Sequence, residues 1–522
     1  MIRYTLIEVL RVFLTQQGYP IDALKLETPA HSHHGDYAIS LAFSLAKSLK
    51  QSPVLIAKTL ASQLNEAPEI SCMGTWEALN GFVNCRLNNQ WIWDHLQQVS
   101  LQKTEYPPVD GSILVEYVSA NPTGPLHIGH ARWAVFGHVL VTLLKEVGIS
   151  TVSEFYINDA GNQIELLRAS VQAVRLGNPI PENGYHGDYI QVLATQDEDP
   201  LLINLAHHKT TLKALGIDFD TWFSETSLRQ SGQVESVICR LREKGYLYEQ
   251  EGALWFASSK WGDDKDRVLV KADGSYTYFA VDLAYHNHKV QRGFGQIINI
   301  WGADHHGYVA RIRAGLMALF GDGFDDTKRF QVIIGQLVSL YRGGQPVRMS
   351  KRTGDMVTLE DVLEDIGSDA MRYFLVEKSA DTHLEFDLEL AKKKSADNPV
   401  FYVQYAHARL ANILEKLHLS DVSHLLPCAD VPDPWQKEER QLVLSCLHYQ
   451  DVVWQATTQL APHYLVQYTH ELARQVQLFY ETCPLLKASA HDQARRIWIV
   501  VSAKHVLAKA LSLLGISAPD RM

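Results

Sequence analysis

Two histidines three residues apart, His127 and His130, stand where an apolar run, Ile113 to Val118, gives way to a helical pattern from Ala131 to about Val147. The stretch between, Ser119-Ala120-Asn121-Pro122-Thr123-Gly124-Pro125-Leu126, reads as a tight loop joining a strand to a helix N-terminus. Such a junction aims unpaired backbone N–H groups and the positive end of a helix dipole at one spot, which suits a phosphate. Imidazoles at i and i+3 share a helix face and can both donate to phosphate oxygens, and Gly129 between them leaves room for a flat base. Two histidines capping a helix against the core are the plainer reading of an isolated H-x-x-H. A second stretch, Val347-Arg348-Met349-Ser350-Lys351-Arg352-Thr353-Gly354, lies roughly 220 residues downstream.

In this order and spacing the two stretches resemble the HIGH and KMSKS signatures of class I aminoacyl-tRNA synthetases. Further stretches narrow the resemblance to arginyl-tRNA synthetases. Asn158-Asp159-Ala160-Gly161-Asn162-Gln163 looks like that family's NDxGxQ, Gly367-Ser368-Asp369-Ala370-Met371-Arg372 like its G-x-D-A-x-R, and Asp397 to Arg409 like its DNPVYYVQYAHAR block. The ending, Leu514 to Met522, is similar too, so the likeness covers nearly the whole chain. It departs at the KMSKS loop, where Arg348 replaces the first lysine and Arg352 the last serine, leaving Met349, Ser350 and Lys351 as outright matches. Some members that lack the second lysine carry a substitute just before the HIGH loop. Here that position is Gly124, and Lys351 is present.

The resemblance implies roles residue by residue. His127, Gly129, His130, Asp304, Met349, Ser350 and Lys351 would bind ATP, Asp304 through the ribose. His127, His130 and Lys351 would stabilise the transition state. Asn121 would meet the α-amino group of arginine, while Tyr278, Asp282 and Glu225 would hold its guanidinium. The chemistry is consistent: a guanidinium is planar, permanently charged and donor-only, so its site needs carboxylates and a fixed acceptor. Tyr278 and Asp282 fall at i and i+4, although an ordinary helix-surface pair has the same spacing.

Elements that could position these groups are visible in the patterning. Apolar runs at Ile113–Val118, Thr151–Ile157, Gln296–Trp301 and Phe330–Gly335 alternate with helices from Ala131, Asn162, Ser227, Val309 and Leu359. That alternation predicts a doubly wound parallel sheet with its ligand at the carboxyl ends of the strands, a Rossmann-like α/β domain over 111–390. Before it, residues 1–110 read as a small α+β unit. An amphipathic helix spans Met1–Tyr19, helical periodicity covers Tyr37–Lys50 and Pro53–Leu64, strands lie around Gly81–Leu87, and a linker falls at Tyr106-Pro107-Pro108. After it, 391–522 reads as an all-α bundle with helices Val400–Leu417, Glu438–Thr457, Pro462–Tyr480 and Asp492–Leu514, interrupted near Pro427–Pro434 and Pro484. By resemblance, the first unit touches the tRNA elbow and the last binds the anticodon. Aromatics such as Tyr402, Tyr405, Trp454 and Tyr464 could stack on bases there, or simply fill the core.

Composition bounds the rest. With 522 residues, 46% of them hydrophobic and 20% charged, the chain is long enough for several domains of ordinary globular material. No apolar run reaches the roughly 18 residues of a membrane span. Six scattered cysteines without a C-x-x-C suggest a reducing compartment, here the cytoplasm, and no zinc ribbon. His31, His33 and His34 read as a solvated loop rather than a metal site. The net charge of −11 argues against indiscriminate coating of nucleic acid. The acidity is central: residues 111–399 carry 29 basic and 38 acidic residues, against 8 and 10 before them and 11 and 11 after. The expected partners are tRNA(Arg), L-arginine and ATP with Mg²⁺, with no protein-bound metal, and the expected state is a monomer. A class I synthetase for another amino acid, a non-catalytic tRNA-binding paralogue and a small-cofactor nucleotidyltransferase stay open as alternatives.

Overall fold

Five strands form the parallel sheet at the centre of the computed structural model: β1 (Ser112–Glu116), β2 (Ser150–Ile157), β3 (Thr221–Ser224), β4 (Gln296–Gly302) and β5 (Phe330–Gly335). The structure describes residues 1–29, 31–101, 105–321, 324, 326–347, 357–419, 434–485 and 487–522. Strand order is β5-β4-β1-β2-β3 with every pairing parallel, as in β1 Ile113 opposite β2 Thr151 and β4 Gln296. The chain winds from β1 towards β3, then crosses back to lay β4 on the other side of β1. The switch point therefore lies between β1 and β4, where a doubly wound sheet opens its ligand crevice.

The helix that follows β1, α1 (Ile128–Glu146), is apolar nearly all round, with Ile128, Ala131, Ala134, Val135, Phe136, Val139, Leu140, Leu143 and Leu144 buried. A helix of that kind belongs inside a large protein rather than at its surface. The other helices that matter for the site are α2 (Asn162–Arg175), α3 (Glu225–Gln230), α4 (Tyr278–Gln291), α5 (Leu359–Ile366) and α6 (Ser368–Val376).

Three expectations need correction. The helix expected over Tyr37–Lys50 starts only at Leu41, because Tyr37–Ile39 is a strand paired with Val83–Cys85. All three of its residues are buried, which a helical pattern with one apolar stripe does not produce. The helix expected at Glu438–Thr457 is two, Lys437–Leu447 and Tyr449–Thr458, hinged at His448. In place of one helix from Ser227 there are two short ones, α3 and Gln233–Glu243. Residues 105–110, where the linker is expected, carry no helix or strand, and the Tyr106 ring stacks on Trp454 at 6.3 Å between centroids. The break expected over Pro427–Pro434 lies almost wholly outside the described residues.

The N-terminal unit is a four-stranded antiparallel sheet packed on helices Leu41–Leu49 and Pro53–Glu66, while Ile2–Gln16 packs against Tyr449–Thr458 of the bundle. The unit is fastened to the C-terminal bundle by Arg440, which donates two 2.7 Å bonds to the Asp36 carboxylate and others to Leu87 O and Asn89 Oδ1. Inside the bundle, His491–Leu514 is long and apolar enough to cross a membrane by length and composition, but 61% of its most apolar 18-residue stretch is buried. Its Arg495 and Arg496 are both paired with the fully buried Glu439, as expected of a core helix.

The carboxyl-terminal segment closes against the catalytic unit through residues of the motifs already quoted. Arg372 of α6, 1% exposed, donates to Leu514 O (2.7 Å), Leu215 O (2.9 Å) and His138 Nδ1 (3.0 Å). Asp369 accepts from Gln404 Nε2 and the Ser517 backbone, and His407 donates to Pro519 O. His138 must stay neutral to accept from a guanidinium. Burial first, then the charges of Arg372 and Lys145, push its pKa down to about 3. A histidine whose folded pKa is depressed takes up a proton on unfolding, so its contribution is complete above its ordinary value of 6.5 and is lost as pH falls from there towards 3. Denaturant melts should show stability falling by up to about 1.4 kcal/mol per pH unit below 6.5 on its account, with a shallower slope in His138→Gln. An unchanged slope in that variant would remove His138 from the explanation.

Candidate active site

Loops at the carboxyl ends of β1 to β4 carry the residues singled out by their spacing. After β1 the backbone turns through positive φ at Val118 and Ser119, then runs through Pro122–Gly124 into α1. Three side chains pin the carbonyls of that loop. Asn204 donates to Pro122 O (3.0 Å), Tyr189 to Thr123 O (3.0 Å) and His208 to Gly124 O (2.8 Å). They come from the helical segment between β2 and β3, where sequence offered only helical periodicity, and no pattern marked them. A Cβ at Gly124 would already press on the Tyr189 ring at 3.3 Å, so this position is poorly suited to a substitute lysine.

His127 is the N-cap of α1. Its Nδ1 accepts from Gly129 N (3.1 Å), and its own backbone N–H donates to His130 Nδ1 (3.2 Å), so the two rings stack with centroids 3.7 Å apart. Both Nδ1 atoms are thus acceptors. Each neutral ring carries its proton on Nε2, the nitrogen a phosphate oxygen would need. The stacking and the capping box are the capping arrangement weighed against a phosphate role, and the tautomers it fixes are the ones that role requires. A Cβ at Gly129 would meet the His127 ring at 3.0 Å, so the glycine keeps this cap intact.

After β2 and β3 the loops interlock. Asp159 accepts from Ser224 Oγ (2.6 Å) and Thr226 N (2.8 Å), fixing the start of α3, whose first residue is Glu225. Glu225 is 3% exposed, accepts from the Tyr156 hydroxyl (2.9 Å) and is paired with Arg229 at 2.6 Å. An incoming guanidinium would share that carboxylate with Arg229 or displace it. Gln163, at the start of α2, accepts from Asn121 Nδ2 (2.7 Å) and so orients the asparagine expected to meet the amino group.

Asp282, on α4, is brought to the same place. Tyr156 lies within electrostatic reach of both carboxylates: burial, then Glu225, then Asp282, raise its pKa, so the phenol stays a donor. Tyr308 is likewise held protonated, by burial and then by the charge of Asp282. His286 Nδ1 lies 3.1 Å from Asp282 Oδ1. Among the described residues no lysine or arginine is paired with Asp282, whose side chain is 31% exposed. Tyr278 stands one turn earlier at the start of α4 and is 68% exposed, without a contact that joins it to the others. Asp304 follows β4 on the opposite side of β1, its side chain 81% exposed and 3.5 Å from His305. Tyr156 and Tyr308 were not legible as site residues, since phenols that serve carboxylates sixty-nine or twenty-six positions away leave no local pattern.

Arg348, Met349, Ser350, Lys351 and Arg352 lie outside the described residues. The chain on either side is well placed. Val347 N donates to Leu340 O (2.8 Å), and Leu359 N donates to Leu126 O (2.8 Å), next to His127. Arg132 of α1 reaches the connection between β5 and the strand Val338–Arg342, donating to Gln336 O (2.9 Å), and also to Ser379 O and Thr382 O.

Three family models match in sequence along the chain: the "Arginyl tRNA synthetase N terminal domain" over 2–87, "tRNA synthetases class I (R), catalytic domain" over 95–181 and 188–414, and the "DALR anticodon binding domain" over 403–522. The chain belongs to the arginyl-tRNA synthetase family. It is 42% identical over 539 residues to an arginine–tRNA ligase of Desulforudis audaxviator, covering 97% of this chain and 94% of the relative. It is also 42% identical to one from Moorella thermoacetica, covering 95% and 93%. The solved Thermus thermophilus arginyl-tRNA synthetase shares the fold over 100% of both chains, with a TM-score of 0.81 at 23% identity.

Within the matched anticodon-binding region, the aromatics separate into two kinds. Tyr464 packs on His463, Tyr402 on His470 and Trp454 on Tyr106. Tyr405 instead borders a groove of about 880 Å³, 41% exposed, with Arg409 held between its ring (4.7 Å) and that of Tyr480 (4.4 Å).

Proposed function

We propose that the chain is an arginine–tRNA ligase. It joins L-arginine to ATP as arginyl-adenylate with release of pyrophosphate, and then transfers the arginyl group to the 3′ end of tRNA(Arg) with release of AMP. The observation that carries the arginine specificity is that Asp282 and the buried Glu225 both lie within electrostatic reach of the Tyr156 phenol, with no lysine or arginine paired to Asp282 among the described residues.

In this reading a carboxylate oxygen of arginine attacks the α-phosphorus and the bond to the bridging oxygen breaks, its electrons leaving with pyrophosphate. A ribose hydroxyl of the terminal adenosine then attacks the adenylate carbonyl, and AMP leaves. His127 and His130 donate Nε2–H to phosphate oxygens, helped by the N-terminus of α1. Lys351 neutralises the charge that develops on the leaving pyrophosphate, and Met349 and Ser350 belong to the same loop. Asp304 accepts from the ATP ribose, Asn121 accepts from the α-ammonium, and Tyr278 closes over the guanidinium held by Asp282 and Glu225. ATP arrives as its Mg²⁺ complex. The enzyme forms no covalent intermediate, so its contribution is positioning and charge stabilisation.

The same proposal keeps the division into an elbow-contacting unit over 1–110, a catalytic unit over 111–390 and an anticodon unit over 391–522, in a cytoplasmic monomer. The groove beside Tyr405, Arg409 and Tyr480 is suited to unstacked nucleotides, because aromatic rings and a cation held between them line it. The test is pyrophosphate exchange with a panel of amino acids, with and without tRNA(Arg). Exchange with arginine alone, and dependent on tRNA, is expected. Exchange with a neutral amino acid would overturn the specificity, and none with any amino acid would favour a non-catalytic tRNA-binding role.

A further inference from the structure

Beneath Asp282 lies a chain of buried polar groups that the reaction does not use directly. Lys289 and Asn299 are 0% exposed, His286 is 1% exposed and Glu116 is 6% exposed. Lysine can only donate, and Lys289 Nζ is paired with Glu116 and donates to Asn299 Oδ1 (3.0 Å). That contact fixes the amide of Asn299. Its Nδ2 then donates both hydrogens, to Glu116 Oε2 (3.1 Å) and to His286 Nε2 (2.9 Å). Turning the amide over would set oxygen against carboxylate and N–H against ammonium. His286 Nε2 must therefore be an acceptor, and the ring is neutral with its proton on Nδ1. That proton is donated to the Asp282 backbone oxygen, 2.8 Å away, and Asp282 Oδ1 lies beside it, 3.1 Å from Nδ1. Trp301 and Phe330 meet the imidazole edge-on, at 5.9 and 5.3 Å between centroids, and hold its plane.

The alternative protonation state would act against the site. An imidazolium beside Asp282 would be an internal cation matching the carboxylate, and an incoming guanidinium would have to compete with it. A neutral donor orients the carboxylate without cancelling its charge. We propose that Lys289, Asn299 and His286 form a relay that locks His286 as the neutral Nδ1–H tautomer, making it the positioning residue that aims the Asp282 carboxylate at the substrate guanidinium. The relay also reaches the HIGH-like loop, because Glu116 Oε1 accepts from Ser119 Oγ (2.8 Å), which in turn accepts from Tyr156 N (3.2 Å). The inference rests on the reading of Asp282 as the guanidinium ligand, and the test separates the two.

Michaelis constants for arginine and for ATP would be measured by tRNA-supported pyrophosphate exchange in the full chain and in Asp282→Asn, His286→Ala and His286→Asn. Asp282→Asn should raise the arginine constant at least about thirtyfold, as loss of one partner of a desolvated charge pair does. His286→Ala should raise it about tenfold, the scale of a lost hydrogen bond to a charged group, while the ATP constant stays within about twofold. His286→Asn, whose Nδ2 replaces the lost donor at nearly the same place, should recover most of that loss. In ¹⁵N-histidine spectra, the resonances present in the wild type and missing from His286→Asn should be one protonated Nδ1 and one unprotonated Nε2. An imidazolium or an Nε2–H signature overturns the relay, even if His286→Ala fails to fold. So does an unchanged arginine constant in His286→Ala alongside a raised one in Asp282→Asn. An unchanged constant in Asp282→Asn overturns the reading of Asp282 itself.

Discussion

Lys351→Ala is expected to slow arginine-dependent pyrophosphate exchange by about 10²–10³, equivalent to roughly 2.7–4 kcal/mol of barrier, with the Michaelis constant for arginine nearly unchanged. The figure is that of a single preorganised donor to charge that develops only in the transition state, which is why the loss belongs in kcat. Lys351 is singled out because its loop has lost lysine at Arg348 and because the other place for a compensating cation, Gly124, is filled by the Tyr189 ring. The strands and helices around the loop are tied to the HIGH-like segment through Leu359 to Leu126 and through Arg132. Lys351→Arg tests geometry rather than charge, since a planar fork cannot replace an ammonium point charge. It should recover only part of the rate. Exchange within threefold of wild type in Lys351→Ala would remove this residue from the mechanism.

What sequence could and could not reveal follows from where each signal resides. β1, β2, β4 and β5 were legible because they are apolar runs in a parallel sheet covered on both faces. β3 was not: its four residues, Thr221 to Ser224, are all only half-buried, and the run is too short to show a period. The antiparallel sheet of Leu247–Gln250, Ala253–Phe256 and Arg267–Val270 was missed because its outer faces are exposed and charged residues interrupt its pattern. The HIGH-like histidines were visible through spacing within one turn. The groups that surround Asp282 and Glu225 include Tyr156, Asn299 and Tyr308, on three further segments that only folding assembles, besides His286 on the helix of Asp282 itself. The motifs around Asp369, Arg372, Gln404 and His407 carried a family likeness without any chemistry to explain it. Their work is structural: they clasp the carboxyl-terminal segment to the catalytic unit.

That clasp should be among the costliest contacts to break. Arg372→Met keeps much of the apolar stem but leaves Leu514 O, Leu215 O and His138 without their buried donor. Each such orphan costs about 1–3 kcal/mol. A total loss of about 3–5 kcal/mol is expected, the range for removing one member of a buried charged network. Gly515→Ala attacks the same contact from the other side. Gly515 ends the helix Ala490–Leu514 at φ +68°, and a Cβ there would sit 2.4 Å from Arg372 Nη2. The left-handed backbone alone costs roughly 1–2 kcal/mol for a residue with a side chain, and the guanidinium must also move out of its three bonds. Since both substitutions remove one set of interactions, the double variant should be clearly less destabilised than the sum of the single ones. In a chain of several domains the unfolding transition is not two-state, so the comparison is between denaturant midpoints of the transition that releases the bundle, followed by near-ultraviolet circular dichroism. Additive losses would mean that Gly515 and Arg372 act independently, and a loss below about 1 kcal/mol in Arg372→Met would mean that the tail is held mainly by Asp369, Gln404 and His407.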